Sequence, residues 1–119
     1  MKKTIVIGAS PNPYRYSNMA VMRLKQHGHE VIAVGLHKGE IDGIQIHTDK
    51  PAINDVDTVS VYVGPQNQPP LYDYILSLKP NRIILNPGAE NEELEKKAAE
   101  NGIEAIEACT LVMLNTGQF

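Results

Sequence analysis

Gly8-Ala9-Ser10, followed by Arg15-Tyr16-Ser17, is the set of residues in this chain best suited to chemistry. That chemistry is anion binding. A glycine after an apolar run lets the backbone come close to a bound group. A serine hydroxyl can donate to a phosphate oxygen, and an arginine grips one through a charge-assisted fork. The N–H groups at the start of a following helix add partial positive charge. The alternative for each side chain is local: Ser10 bonds its own loop and Arg15 points into solvent. Three further segments have the same glycine-bearing, polar make-up. Gly35 to Gly43 contains His37 and Lys38; Gly64 to Gln68 follows Tyr62-Val63 and contains Pro65; Asn86 to Asn91 contains Gly88.

The elements that must position these segments alternate along the chain. Ile5–Ile7, Val31–Val34, Thr58–Val63, Arg82–Leu85 and Ile103–Ile106 read as five short strands. Their continuous apolar, β-branched character fits burial on both faces. Ile44–Ile46 is a further short edge-strand candidate. Ser17 is the expected N-cap of a helix to about Gln26, ended by Gly28. A second helix is expected from Pro70 to Leu78, with Asn67 and Gln68 as candidate caps. Asn91 caps a third over Glu92 to Asn101, and Thr110 to Leu114 forms a last helical turn. Strand–helix alternation predicts α/β architecture: a doubly wound parallel five-stranded sheet in three α/β/α layers. The expected order is 3-2-1-4-5, with Ile5–Ile7 central. Carboxyl ends of parallel strands share one edge, which brings the four segments together at the switch point.

Composition bounds the partners. A chain of 119 residues suits one domain, 1–119, around one core. The net charge of −3 argues against a nucleic-acid partner, which needs a basic footprint. The apolar run behind Met1-Lys2-Lys3 extends only from Ile5 to Ile7. That is too short for a signal peptide or for a membrane helix of about 18 or more apolar residues. Cys109 is the single cysteine, so no intramolecular disulfide forms. The expected location is the cytoplasm, with no membrane partner.

The polar residues do not assemble a catalytic set. His27, His29, His37 and His47 show no metal spacing, and no nucleophile elbow or P-loop occurs. His27 and His29 flank a helix-ending glycine and read as surface residues. Cys109 has no neighbouring cation in sequence and reads as a packing residue. The acids at 90, 92, 93 and 95 suit a helix start. The first loop lacks the second and third glycines of a dinucleotide fingerprint. Val34-Gly35-Leu36 stands where an NAD site places the acid that bonds the ribose diol. His37 and Lys38 follow, and their positive character suits an extra phosphate on the ribose, as in coenzyme A or NADP. The competing reading is a solvated loop. Tyr62 can cover a base or line a narrow channel, or can close the edge of the core.

Val6-Ile7-Gly8-Ala9-Ser10-Pro11, Gly28 through Val34, Ile41-Asp42-Gly43-Ile44, Asp57 through Val63, and Gly102 through Leu111 together resemble the coenzyme A-binding domain family. These are Rossmann-like proteins related in fold to the nucleotide-binding domain of the succinyl-coenzyme A synthetase α subunit. The resemblance implies bound coenzyme A or acyl-coenzyme A, a small nucleotide-containing ligand. It implies Gly8, Ala9, Ser10, Arg15, Tyr16 and Ser17 around the diphosphate, and Gly35, His37 and Lys38 near the adenosine. Tyr62, Val63 and Pro65 would border the pantetheine, and Asn86 and Gly88 lie at the same edge. The chain differs from the family's usual residues at Gly35-Leu36 and Leu85-Asn86. It has no room for the second, phosphohistidine-bearing domain of the synthetase, so the expectation is binding without catalysis. The alternatives are an NADP-dependent enzyme or nucleotide sensor using the same groove, and an interaction module with no nucleotide.

Overall fold

The computed structural model describes residues 1–119. Short apolar runs have become strands β1 (Thr4–Ile7), β2 (Val31–Val34), β4 (Ile44–His47), β5 (Thr58–Val61), β6 (Arg82–Leu85) and β7 (Glu104–Glu107), all parallel. A two-residue strand β3 (Glu40–Ile41) runs antiparallel to β4. The sheet order is β3-β4-β2-β1-β5-β6-β7. Ile5 lies opposite Ile32 on one side and Val59 on the other.

Alternation along β1 divides the core into two layers. Ile5 and Ile7 pack with Val59, Ile75, Leu94 and Ala98. Val6 packs on the other face with Val21, Leu24, Ala33 and Leu114. Helices α2 (Tyr72–Ser77) and α3 (Glu92–Glu100) cover the first face, and α1 (Tyr16–Gln26) and α4 (Thr110–Asn115) the second. This is the three-layer α/β/α, Rossmann-like arrangement that the alternation predicts. No helix is long and apolar enough to cross a membrane.

Several details differ from the sequence reading. The sheet has seven strands, not five: the edge-strand candidate Ile44–Ile46 forms as β4, and Glu40–Ile41 adds β3 outside it at the edge. The two additions form a hairpin around Asp42-Gly43, whose φ values of +48° and +83° suit a two-residue turn. In the order 3-2-1-4-5 the third core strand would lie outside β2. Instead β4 takes that place, and β5 crosses over to pair with β1. Ser17 is not the N-cap. Arg15 occupies that position, and Ser17 is buried within the first turn. The helix expected from Pro70 begins at Tyr72. Pro65–Asn67 and Pro69–Leu71 wind as separate 3₁₀ turns, because three prolines lack the N–H that a continuous helix uses. Neither Asn67 nor Gln68 caps α2. Asn91 does cap α3, its Oδ1 accepting from the N–H groups of Glu93 and Leu94.

Candidate functional site

The switch point falls between β1 and β5, since the chain leaves β1 toward β2 and later returns to the other side. The loops after these strands leave the sheet side by side at its carboxyl edge, where an open α/β sheet binds its ligands. The loop after β1 is pinned first. The N–H groups of Gly8 and Ala9 both donate to the Val34 carbonyl, at 2.9 and 3.0 Å. Gly8 has φ +91°, and a Cβ there would stand 3.1 Å from Val63 Cγ2. Gly35 is tighter still, since a Cβ would stand 2.1 Å from the Ala9 carbonyl oxygen. The first loop therefore sits wedged between the second and third. Two of the glycines serve this loop-on-loop packing.

Beyond the wedge, side chains organise the first loop from within. Ser10 Oγ accepts from the Asn12 N–H at 3.1 Å, and Asn12 Oδ1 accepts from the Tyr14 N–H at 2.9 Å. Asn18 Nδ2 donates to the Ser10 carbonyl at 2.9 Å. Ser10 thus bonds its own loop but keeps its hydroxyl proton free to donate. The start of α1 is left open. No side chain caps it, and its first turn carries no acid. The N–H groups of Ser10, Tyr16, Ser17 and Asn18 make no hydrogen bond within the protein. Helix N-termini with free donors attract anions. Arg15 is exposed beside them.

The other predicted residues divide into lining and support. His37 and Lys38 are exposed on the second loop, as are Pro65 and Gly88 on the third and fourth. Asn86 is not a lining residue, because it is fully buried. Its amide donates to Ser60 Oγ and the Val61 carbonyl, both at 2.9 Å, and accepts from the Thr110 N–H at 2.8 Å. Ala9 and Ser17 are also buried. Tyr62 is mostly covered. Burial pushes its phenol pKa up, and nearby Cys109 adds to that. The Ser60 and Thr110 hydroxyls lie close by and favour the phenolate slightly. They bond each other at 2.8 Å, however, and leave Tyr62 Oη buried without a partner.

Charge is uneven along this edge. Arg15, His37 and Lys38 lie at the β1–β2 end, whereas Glu92, Glu95 and Glu107 cluster beside β7. Burial raises the Glu95 pKa, and the Glu107 and Glu92 carboxylates raise it further. A phosphate-rich ligand is therefore favoured at the β1–β2 end and opposed at the other.

Three features were missed in the sequence. Tyr14 is 87 % exposed and Leu36 90 % exposed, and both project from loops at the candidate site. The available signal was an apolar side chain in a loop outside any strand or helix period. The third is Gln68, which is fully buried between the third and fourth loops. Flanked by Asn67 and Pro69, it carries no sequence sign of burial.

Comparison with known proteins agrees with this geometry. A crystal structure of a protein described as uncharacterized is 57 % identical, with a TM-score of 0.98 over 100 % of this chain and 98 % of that one. A hypothetical protein from Pyrococcus horikoshii OT3 is 24 % identical, with a TM-score of 0.87 over 97 % of this chain and 82 % of that one. The acetyl-coenzyme A synthetase 1 of Ca. Korarchaeum cryptofilum, solved with phosphate and ADP, shares the fold at 18 % identity and a TM-score of 0.72. The likeness covers 88 % of this chain and 25 % of the synthetase. No curated protein sequence matches the chain. The family pattern described as a CoA binding domain matches residues 2–115, which include every loop of the edge described above. With nearly its whole length matched, this chain belongs to the CoA binding domain family.

Proposed function

We propose that this protein binds coenzyme A or an acyl-coenzyme A along its carboxyl edge and performs no catalysis of its own. The observation that carries the reading is the uncapped start of α1, with free N–H groups beside exposed Arg15. Membership of the family supports the choice of ligand. In this reading the diphosphate sits against Gly8, Ala9, Ser10 and the N–H groups of Tyr16 and Ser17, gripped by Arg15. Lys38 and His37 face the ribose phosphate. The pantetheine arm runs past Tyr62, Val63 and Pro65 toward Gly88. The acidic β7 end repels phosphate and so sets the direction in which the ligand lies.

Calorimetry with four ligands tests this. Coenzyme A should bind more tightly than dephospho-coenzyme A, and both more tightly than NAD. Lys38→Ala should weaken coenzyme A by about 1 kcal/mol and leave the dephospho form unchanged. Higher salt should narrow the gap, because an exposed phosphate contact is screened. NADP is the fourth ligand, since it shares the ribose phosphate. If NADP binds more tightly than coenzyme A, the groove serves a nicotinamide nucleotide instead.

A further inference from the structure

Gln68 is a fully buried polar side chain whose amide nitrogen and oxygen are both engaged. Its Nε2 donates to the Val63 and Ala89 carbonyls, each at 2.8 Å. Its Oε1 accepts from Asn91 Nδ2 at 2.9 Å. The same Asn91 Nδ2 donates to Tyr72 Oη at 2.7 Å, and Asn91 Oδ1 caps α3. One amide thus ties the loop after β5 to the loop after β6. Val63, one of its two carbonyl partners, is also the residue whose side chain closes on Gly8. A buried, hydrogen-bonded amide of this kind rigidifies what it joins.

We infer that Gln68, held by Asn91, is a positioning residue that sets the third and fourth loops as one wall of the ligand groove. The inference rests on the coenzyme A reading for the ligand and on the hydrogen bonds alone for the wall. It touches no part of the ligand. Its influence falls on the pantetheine side. The phosphate side has its own anchor in the bonds of Gly8 and Ala9 to Val34, and its contact with Val63 is through packing alone.

Asn91→Asp is the discriminating variant. Aspartate caps a helix as well as asparagine does, so α3 is kept. The Nδ2 donor to Gln68 is lost, and a carboxylate now faces Gln68 Oε1. Gln68→Leu, which leaves the Val63 and Ala89 carbonyls unpaired, is the harsher companion. Two readouts are taken. In the ligand-free protein, amide exchange should quicken together in residues 62–68 and 86–91 and stay unchanged in 8–15 and 35–38. Coenzyme A affinity should fall several-fold, because the ligand must then order a wall that is no longer preset. Affinity for adenosine 3′,5′-bisphosphate, which lacks pantetheine, should be unchanged. Equal loss for both ligands would mean a general fold defect and would overturn the inference. Unchanged coenzyme A affinity, or exchange that quickens in one loop only, would also overturn it. If the unsubstituted protein binds neither ligand, the coenzyme A reading fails and takes the ligand-positioning role with it. The exchange experiment would still decide whether the two loops form one wall.

Discussion

Gly35→Ala offers the sharpest test of how the edge is built. A methyl at this position would stand 2.1 Å from the Ala9 carbonyl oxygen, 3.1 Å from its carbon and 3.2 Å from Ile46 Cγ2. Separations under 3.0 Å do not persist, so the carbonyl must retreat from 2.1 Å to at least that distance. It is not free to do so. Gly8 and Ala9 both donate to Val34, and Gly35 itself donates to the His47 carbonyl at 2.9 Å. Relief must stretch one of these bonds or tilt the first loop. Overpacking of one methyl costs about 1–3 kcal/mol. The lower conformational entropy of the unfolded chain returns only about 0.4–1 kcal/mol. At their midpoints these leave a net cost of about 1.3 kcal/mol, a fall in melting temperature of roughly 5 °C. Gly64→Ala is the matched control. Gly64 has φ −61° and ψ 152°, which alanine adopts freely, and its nearest neighbour is the exposed Gln66 side chain at 3.0 Å. That chain end can swing away, so Gly64→Ala should be neutral or stabilising by up to about 1 kcal/mol. Calorimetric melting of both variants decides the matter. If they melt together, the loop-on-loop wedge is not a feature of the folded protein.

Other outcomes follow from the buried groups and the opposite edge. Tyr62→Phe should leave the melting temperature equal or raise it, because its buried hydroxyl has no partner to lose; a loss above about 1 kcal/mol would refute this. Asn86→Leu strands the Thr110 N–H, while the Val61 carbonyl keeps the main-chain N–H of residue 86, and should cost about 1–3 kcal/mol by urea unfolding. At the amino edge, burial would raise the Asp57 pKa, but hydrogen bonds from Thr58 Oγ1 and Asn81 Nδ2, with the Lys2 and Arg82 charges, bring it below 3.8. The unfolded chain then takes up the proton first, so this contribution is full above 3.8 and is lost as pH falls through the lower folded value. Asp57→Asn should flatten that acid limb in pH-dependent melting. Burial, with the charges of the N-terminus, His27, Lys2 and Arg82, lowers the His29 pKa below 6.5. Its contribution is full above 6.5 and fades as pH falls below it, and His29→Gln should remove that slope.

Local chemistry was enough to read the layered α/β fold, because each parallel strand declares itself. Ile5–Ile7, Val31–Val34 and Arg82–Leu85 are apolar runs bounded by turn residues, and burial on both faces needs nothing else. Asn91 was legible as a cap for the same reason, since its bonds reach only two and three residues ahead. The glycine loops were legible as a group because parallel strands must release their chains at one edge. What needed the tertiary structure is what depends on contacts between distant segments. The crossing of β5 to pair with β1 is a choice among hydrogen-bonding partners that the apolar pattern of either strand leaves open. Asn86 and Gln68 are short polar residues in turn-rich stretches, and nothing local distinguishes a solvated amide from a buried one. Their carbonyl and N–H partners lie 21 to 25 residues away in three cases, Asn86 to Val61, Asn86 to Thr110 and Gln68 to Ala89. Only folding brings those partners within reach and makes the same side chain a buried support for the loops at this edge. The contact of Gly35 with Ala9 has the same origin: the absent side chain is set by a backbone that arrives from 26 residues earlier in the chain.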